Sequence, residues 1–116
     1  MKSGIAALAL TVVFGAAFTT AQAQNYPSRP VRVIMSSSAG GTSDIFMRVM
    51  ADELQKRMGQ PFILENRPGG SFNIGARACA EAAPDGYTVC MMSAEPVAFN
   101  QYLFKTLPFD PTAFVP

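Results

Sequence analysis

The 116 residues contain no histidine and no tryptophan, only two cysteines, and no more than 15% charged side chains. Without histidine there is no Ser-His-Asp triad, no imidazole general base and none of the commonest metal ligand, so the composition points to binding rather than catalysis. No Cys-x-x-Cys or other ligand spacing suggests a metal, and no cofactor is expected. Neither Gly-x-Gly-x-x-Gly nor a Gly-Lys-Ser/Thr phosphate loop is present, which removes the usual nucleotide-binding turns. A Gly-x-Ser-x-Gly elbow is also missing, so a hydrolase built on a Ser36–Ser38 hydroxyl has little support.

What is present begins with a leader. Met1-Lys2 gives a charged start, Ile5 to Phe18 is an apolar run, and Ala21-Gln22-Ala23 is a small-x-small cleavage site, so residues 1–23 read as a signal peptide removed on export. The apolar run is short for a membrane span, which needs about 20 such residues. Without Lys2 the chain carries eight basic and eight acidic side chains. It therefore lacks the basic footprint of a nucleic-acid-binding protein. About 90 residues remain, enough for one small domain or part of a larger one. Export admits disulfides. Yet Cys79 falls in an Ala-rich helical stretch and Cys90 in an apolar strand, and both read as small buried hydrophobes rather than as a bridged pair.

From Val31 onward, strands alternate with helices. Val31 to Met35 is an apolar strand, and Ser36 to Ser43 is a turn of small residues rich in glycine and hydroxyls. Phe46, Met50, Leu54 and Met58, with Ile45 and Val49 beside them, form the apolar stripe of a helix from about Asp44 to Met58, capped by Thr42 or Ser43 and ended by Gly59. Phe62 to Leu64 is a second strand, Asn66 to Ser71 a second Gly-rich loop, and Asn73 to Ala83 a second helix. Pro84-Asp85-Gly86 turns the chain into a third strand, Tyr87 to Met92, which lacks alternation and so suits a strand covered on both faces. Pro96 starts a short third helix reaching about Phe104.

This order predicts an α/β fold with a short parallel sheet flanked by helices. All strand-to-helix loops of such a sheet leave its carboxyl edge, where open α/β proteins bind ligands. The first turn has the outline of an anion cradle: Gly40 and Gly41 allow close backbone approach, and the helix start supplies N–H groups and the positive end of the dipole. Candidate ligand residues are therefore Ser37, Ser38, Ala39, Gly40, Gly41, Thr42, Ser43 and Asp44 from the first loop, Gly69, Gly70, Ser71 and Asn73 from the second, and Ser93 and Glu95 from the third. Arg67 reads as a brace on a carboxylate such as Glu65 rather than as a ligand group, and Asp85-Gly86 as a turn only. The methionines read as core filler.

The stretches Tyr26-Pro27-Ser28-Arg29-Pro30-Val31-Arg32, Ala39-Gly40-Gly41 with Asp44 beyond it, Glu65-Asn66-Arg67-Pro68-Gly69, Asn73-Ile74-Gly75-Ala76, Ala82-Ala83-Pro84-Asp85-Gly86-Tyr87-Thr88 and Leu107-Pro108-Phe109-Asp110-Pro111, in this order, resemble the Bug family of periplasmic solute-binding receptors. The resemblance implies a type II periplasmic-binding-protein fold, in which residues 24–116 form the N-terminal part of lobe 1 and the second lobe lies outside them. It also implies a small carboxylate ligand, handed to the membrane permease subunits of a tripartite tricarboxylate transporter. The alternative it leaves is a truncated gene remnant without function. Where that family usually has Pro-Phe this chain has Ser36-Ser37, and where Thr-Asn type donors are common it has Glu95, which repels a carboxylate at close range.

Overall fold

The computed structural model describes residues 25–114, so the expected leader over residues 1–23 lies outside the described residues. The elements are β1 (Val31–Met35), α1 (Thr42–Met58), β2 (Phe62–Asn66), α2 (Asn73–Ala80), β3 (Thr88–Met91), a π-helical turn (Glu95–Phe99) and α3 (Asn100–Leu103). All three strands are parallel, in the order β2-β1-β3. The expected α/β architecture is present.

The topology follows from connection handedness. From β1 the chain crosses to β2 on one side, and from β2 it passes over β1 to β3 on the other. Right-handed crossovers in opposite directions place α1 and α2 on opposite faces of the sheet. Beneath α1 lies the core: Val33 and Met35 of β1 with Met47 of α1, joined by Leu54, Phe62, Leu64 and Met91. On the α2 face Ala76 is fully buried, and Gly75 lies so close to the end of β1 that a Cβ there would be 2.7 Å from Ser36 Cα and 3.0 Å from the Arg67 carbonyl oxygen. Any larger residue would push α2 off the sheet.

Several element details differ from the sequence reading. The stripe Phe46, Met50, Leu54, Met58 does not form the buried face of α1; that face is Asp44, Met47 and Ala51, with Leu54 behind, while Ile45, Phe46 and Val49 are each more than half exposed. The reason is geometric. Each four-residue step overshoots a turn by about 40°, so a strict i+4 series winds around the helix instead of staying on one side. Gly59 does end the helix, in a left-handed conformation, but its N-cap is Gly41 with no side-chain cap from Thr42 or Ser43. The second helix stops at Ala80 rather than Ala83. The third strand is an edge, and Val89 on it is exposed.

The cysteines also correct the expectation. Cys79 and Cys90 form a disulfide, with Cα atoms 6.2 Å apart. α2 packs on β3 as well as β1, so its last turn brings Cys79 over the middle of the strand that carries Cys90. Sequence spacing alone does not display that contact.

At the amino edge of the sheet, Tyr26, Arg29, Asp85 and Tyr87 bind the start of the described chain to the Pro84–Gly86 turn. Tyr26 Oη donates to the Gly86 carbonyl at 2.6 Å, Arg29 pairs with Asp85 at 2.8 Å, and the Arg29 guanidinium sits 4.1 Å from the Tyr87 ring centroid. Asp85 is therefore an anchor as well as a turn residue. This cluster is remote from the carboxyl edge. As the sequence suggested, Arg67 ion-pairs with Glu65, which Arg32 also holds.

Candidate ligand-binding site

β1 is the central strand, and the chain leaves its carboxyl end towards α1 on one side while β3 leaves towards the π-helical turn on the other. Such a topological switch opens a crevice between two strand ends. A cavity of about 360 Å³ lies there, lined by Ser36, Ser37, Ser43, Phe72, Met91, Met92 and Ser93. Methionine and phenylalanine supply apolar walls, and four serines supply the polar groups. The Ser43 hydroxyl donates to the Ser37 hydroxyl at 2.8 Å, and Ser93 Oγ is buried without a hydrogen-bond partner among the described residues. A larger groove of about 800 Å³ runs beside α2 and the free edge of β3, with no charged side chain among the described residues of its lining.

Of the expected ligand residues, the cavity brings together Ser37, Ser43 and Ser93. Ser38, Ala39, Gly40, Gly41 and Thr42 are exposed on the turn and outside the lining. Gly40 has φ +81° with open space around it, whereas Gly41 is extended with ordinary room for a side chain, so the turn requires glycine at the first position only. Gly69, Gly70 and Ser71 are also exposed outside the cavity, and Phe72 at the end of their loop is the residue that reaches it. Glu95 is half-buried just beyond Ser93. The neighbouring Ser93 hydroxyl, first among its surroundings, holds the Glu95 carboxyl below the usual carboxylate range.

Asp44 and Asn73 are committed inside the protein. Asp44, 1% exposed, accepts hydrogen bonds from the Gly40 N–H at 2.8 Å, Arg48 Nε at 2.9 Å and Asn66 Nδ2 at 2.9 Å. The Arg48 hydrogen bond first, then those from Gly40 and Asn66, bring its pKa down to about 2 against the opposing effect of burial. It is the third residue of α1, where a carboxylate reaching back also suits the helix dipole. Asp44 thus shapes the turn from behind. Thr42 and Ser43, in the first turn, have N–H groups with no intrahelical acceptor.

Asn73 plays a matching part in the second loop. Asn100, 1% exposed, donates through Nδ2 to Asn73 Oδ1 at 2.7 Å and to the Ser71 carbonyl at 2.8 Å. That clamp holds a run of left-handed backbone through Gly69, Gly70, Ser71 and Phe72, unfavourable for the two non-glycine residues. It fixes Phe72 against the cavity. Ser36, Asn66, Phe72, Met91, Met92 and Asn100 were not among the sequence candidates. Asn66 and Ser36 sat within singled-out motifs, but Asn100 had no local signal beyond an amide in an apolar helical stretch.

Among the described residues no group of three or more Cys, Asp or Glu side chains is placed to hold a metal ion, and no helix is long and apolar enough to cross a membrane. Residues 46–115 match the family model described as tripartite tricarboxylate transporter family receptor. The chain belongs to that family. It is 37% identical over 99 residues to a UPF0065 protein of Bordetella bronchiseptica, covering 85% of this chain and 30% of that protein. Among solved structures it is similar to R. palustris Rpa4515 with adipate, at TM-score 0.69 and 34% identity over 75% of this chain and 29% of that one. It is also similar to MatC from Rhodopseudomonas palustris with bound malate, at TM-score 0.61 and 32% identity over 74% and 29% of the two chains. The chain therefore spans about a third or less of the length of these relatives. The likeness to receptor structures supports the periplasmic-binding-protein-like reading of its fold.

Proposed function

We propose that this chain forms one wall of an extracytoplasmic receptor that binds a small carboxylate and delivers it to the membrane permease subunits of a tripartite tricarboxylate transporter. Residues 24–116 are then the N-terminal part of lobe 1, and the remaining two thirds seen in relatives supply the opposite wall. The observation that carries the reading is the cavity at the switch point of the sheet, where serine hydroxyls and the N-terminal turn of α1 adjoin one apolar-walled space. The backbone N–H groups of Thr42 and Ser43 and the helix dipole offer a carboxylate donors, with no lysine or arginine among the described residues of the lining. Adipate and malate, present in the two similar structures, are both dicarboxylates. The function requires no cofactor and no catalytic residue.

The receptor works in the periplasm after cleavage following Ala23, so protein recovered there has a mass beginning at Gln24. Equilibrium dialysis of that protein against labelled dicarboxylates and tricarboxylates tests the function. Saturable retention in the millimolar range or tighter supports it. Retention no greater than for a neutral sugar contradicts it.

A further inference from the structure

We propose that the free edge of β3 is an interaction surface for a second copy of this chain, the two β3 strands running antiparallel across a two-fold axis. The Arg32 N–H donates to the Tyr87 carbonyl and the Ser36 N–H to the Met91 carbonyl, so alternate residues, from Tyr87 through Val89 to Met91, turn their backbone groups towards β1. The residues between and after them, Thr88, Cys90 and Met92, turn theirs the other way. No strand meets them there among the described residues, and all three line the groove of about 800 Å³.

The composition of the edge selects the partner. Sheets commonly guard an open edge with lysine, proline, a bulge or an inward charge, and Thr88-Val89-Cys90-Met91 has none of these. A two-fold axis sets each patch against itself, so a charged patch repels its copy, whereas this groove has no charged side chain among the described residues of its lining. Ala80, Ala82, Ala83 and Gly86 keep the groove open beside the strand, and Val89, 39% exposed, supplies apolar contact. The opposite edge, on β2, carries Glu65 and runs into Arg67, so it is the guarded one. Pairing β3 with β3 closes the edge in both copies and stops at a dimer, while pairing β3 with β2 leaves open edges and grows. An antiparallel strand at the border of a parallel sheet is a common arrangement.

The test is sedimentation equilibrium of the exported chain, disulfide intact, from about 5 to 500 μM, with amide hydrogen exchange followed at both ends of that range. The mass is expected to rise from one chain towards two, and the Thr88, Cys90 and Met92 amides to slow at least about tenfold as it does, while Val89 and Met91, already facing β1, change little. Val89→Lys is expected to raise the dimer dissociation constant about tenfold, and Ile63→Lys, 55% exposed on β2, to leave it unchanged, with circular dichroism confirming that both fold. The exchange pattern of the native chain decides the matter without either variant. A mass of one chain throughout, a mass beyond two chains, or a dimer with Thr88 and Cys90 still exchanging freely overturns the proposal, as does a dimer indifferent to Val89→Lys. Slow exchange of Thr88 and Cys90 in a monomer assigns the edge to another segment of the same chain and overturns it too.

Discussion

Asn66 Nδ2 donates to Asp44 Oδ1 across 2.9 Å, so the last residue of β2 is tied to the first turn of α1. Asn66 also donates to the Ser37 carbonyl at 3.1 Å. One amide therefore fixes both ends of the turn that borders the cavity, and the Asp44 carboxylate holds that turn's Gly40 N–H from below.

This linkage gives Asp44 a pH signature. Its pKa in the folded chain is about 2 against an ordinary 3.8, so its charged form is favoured by folding; the stabilisation is complete above about pH 4 and is lost as pH falls towards 2. Asp44→Asn is expected to lower the melting temperature at neutral pH by roughly 5–10 °C, and the gap to the native protein is expected to shrink across that acid window. Thermal scans of both proteins at a series of pH values check this. A gap independent of pH contradicts it.

The corrected register of α1 separates adjacent residues. Met47 is buried against Val33 and Met35, so Met47→Ala is expected to cost about 2–3 kcal/mol, while Phe46→Ala on the open face is expected to cost less than about 0.5 kcal/mol. Urea denaturation midpoints measure both. The reverse ranking would restore the i+4 stripe as the core face.

Reduction of Cys79–Cys90 reopens an 11-residue separation between α2 and β3. A loop of that size corresponds to roughly 2–3 kcal/mol of stabilisation, so dithiothreitol or a double Cys79→Ser, Cys90→Ser change is expected to lower the urea midpoint by the matching amount. An unchanged midpoint would show that the cysteines are not bridged in the exported protein.

Asn100→Leu removes both clamps on the second loop and leaves Asn73 Oδ1 without its donor. The expected result is faster amide hydrogen exchange from Gly69 to Asn73, with exchange in β1 little changed. Uniform acceleration across the sheet would mean that Asn100 supports the whole fold rather than the loop.

The alternation of apolar strands, glycine turns and helices was sufficient to place the sheet, its parallel sense and the carboxyl-edge loops, because those follow from local pattern and crossover handedness. What the sequence did not display depended on distance in the chain. The face of α1 turned to the sheet is set by tertiary packing, not by the most regular apolar series. The Cys79–Cys90 bridge depends on where α2 crosses β3. Asp44 and Asn73 read as ligand groups, since short polar residues at helix starts serve binding and capping alike; both are buried and bonded to Asn66 and Asn100, partners that lie 22 and 27 residues away in the chain. Ser37 and Ser93 were legible as candidates because they stand just past strand ends, and Ser43 because it opens α1.

The proposed function places a carboxylate at the switch point between β1 and β3. Amide chemical-shift mapping of the exported chain during titration with adipate and malate tests it most directly. Saturable shifts are expected at Ser37, Thr42, Ser43 and Ser93, with Tyr26, Arg29 and Asp85 at the opposite edge unmoved. Shifts confined to the groove beside α2 and β3, around Thr88, Val89 and Phe114, or the absence of any saturable shift, would contradict it.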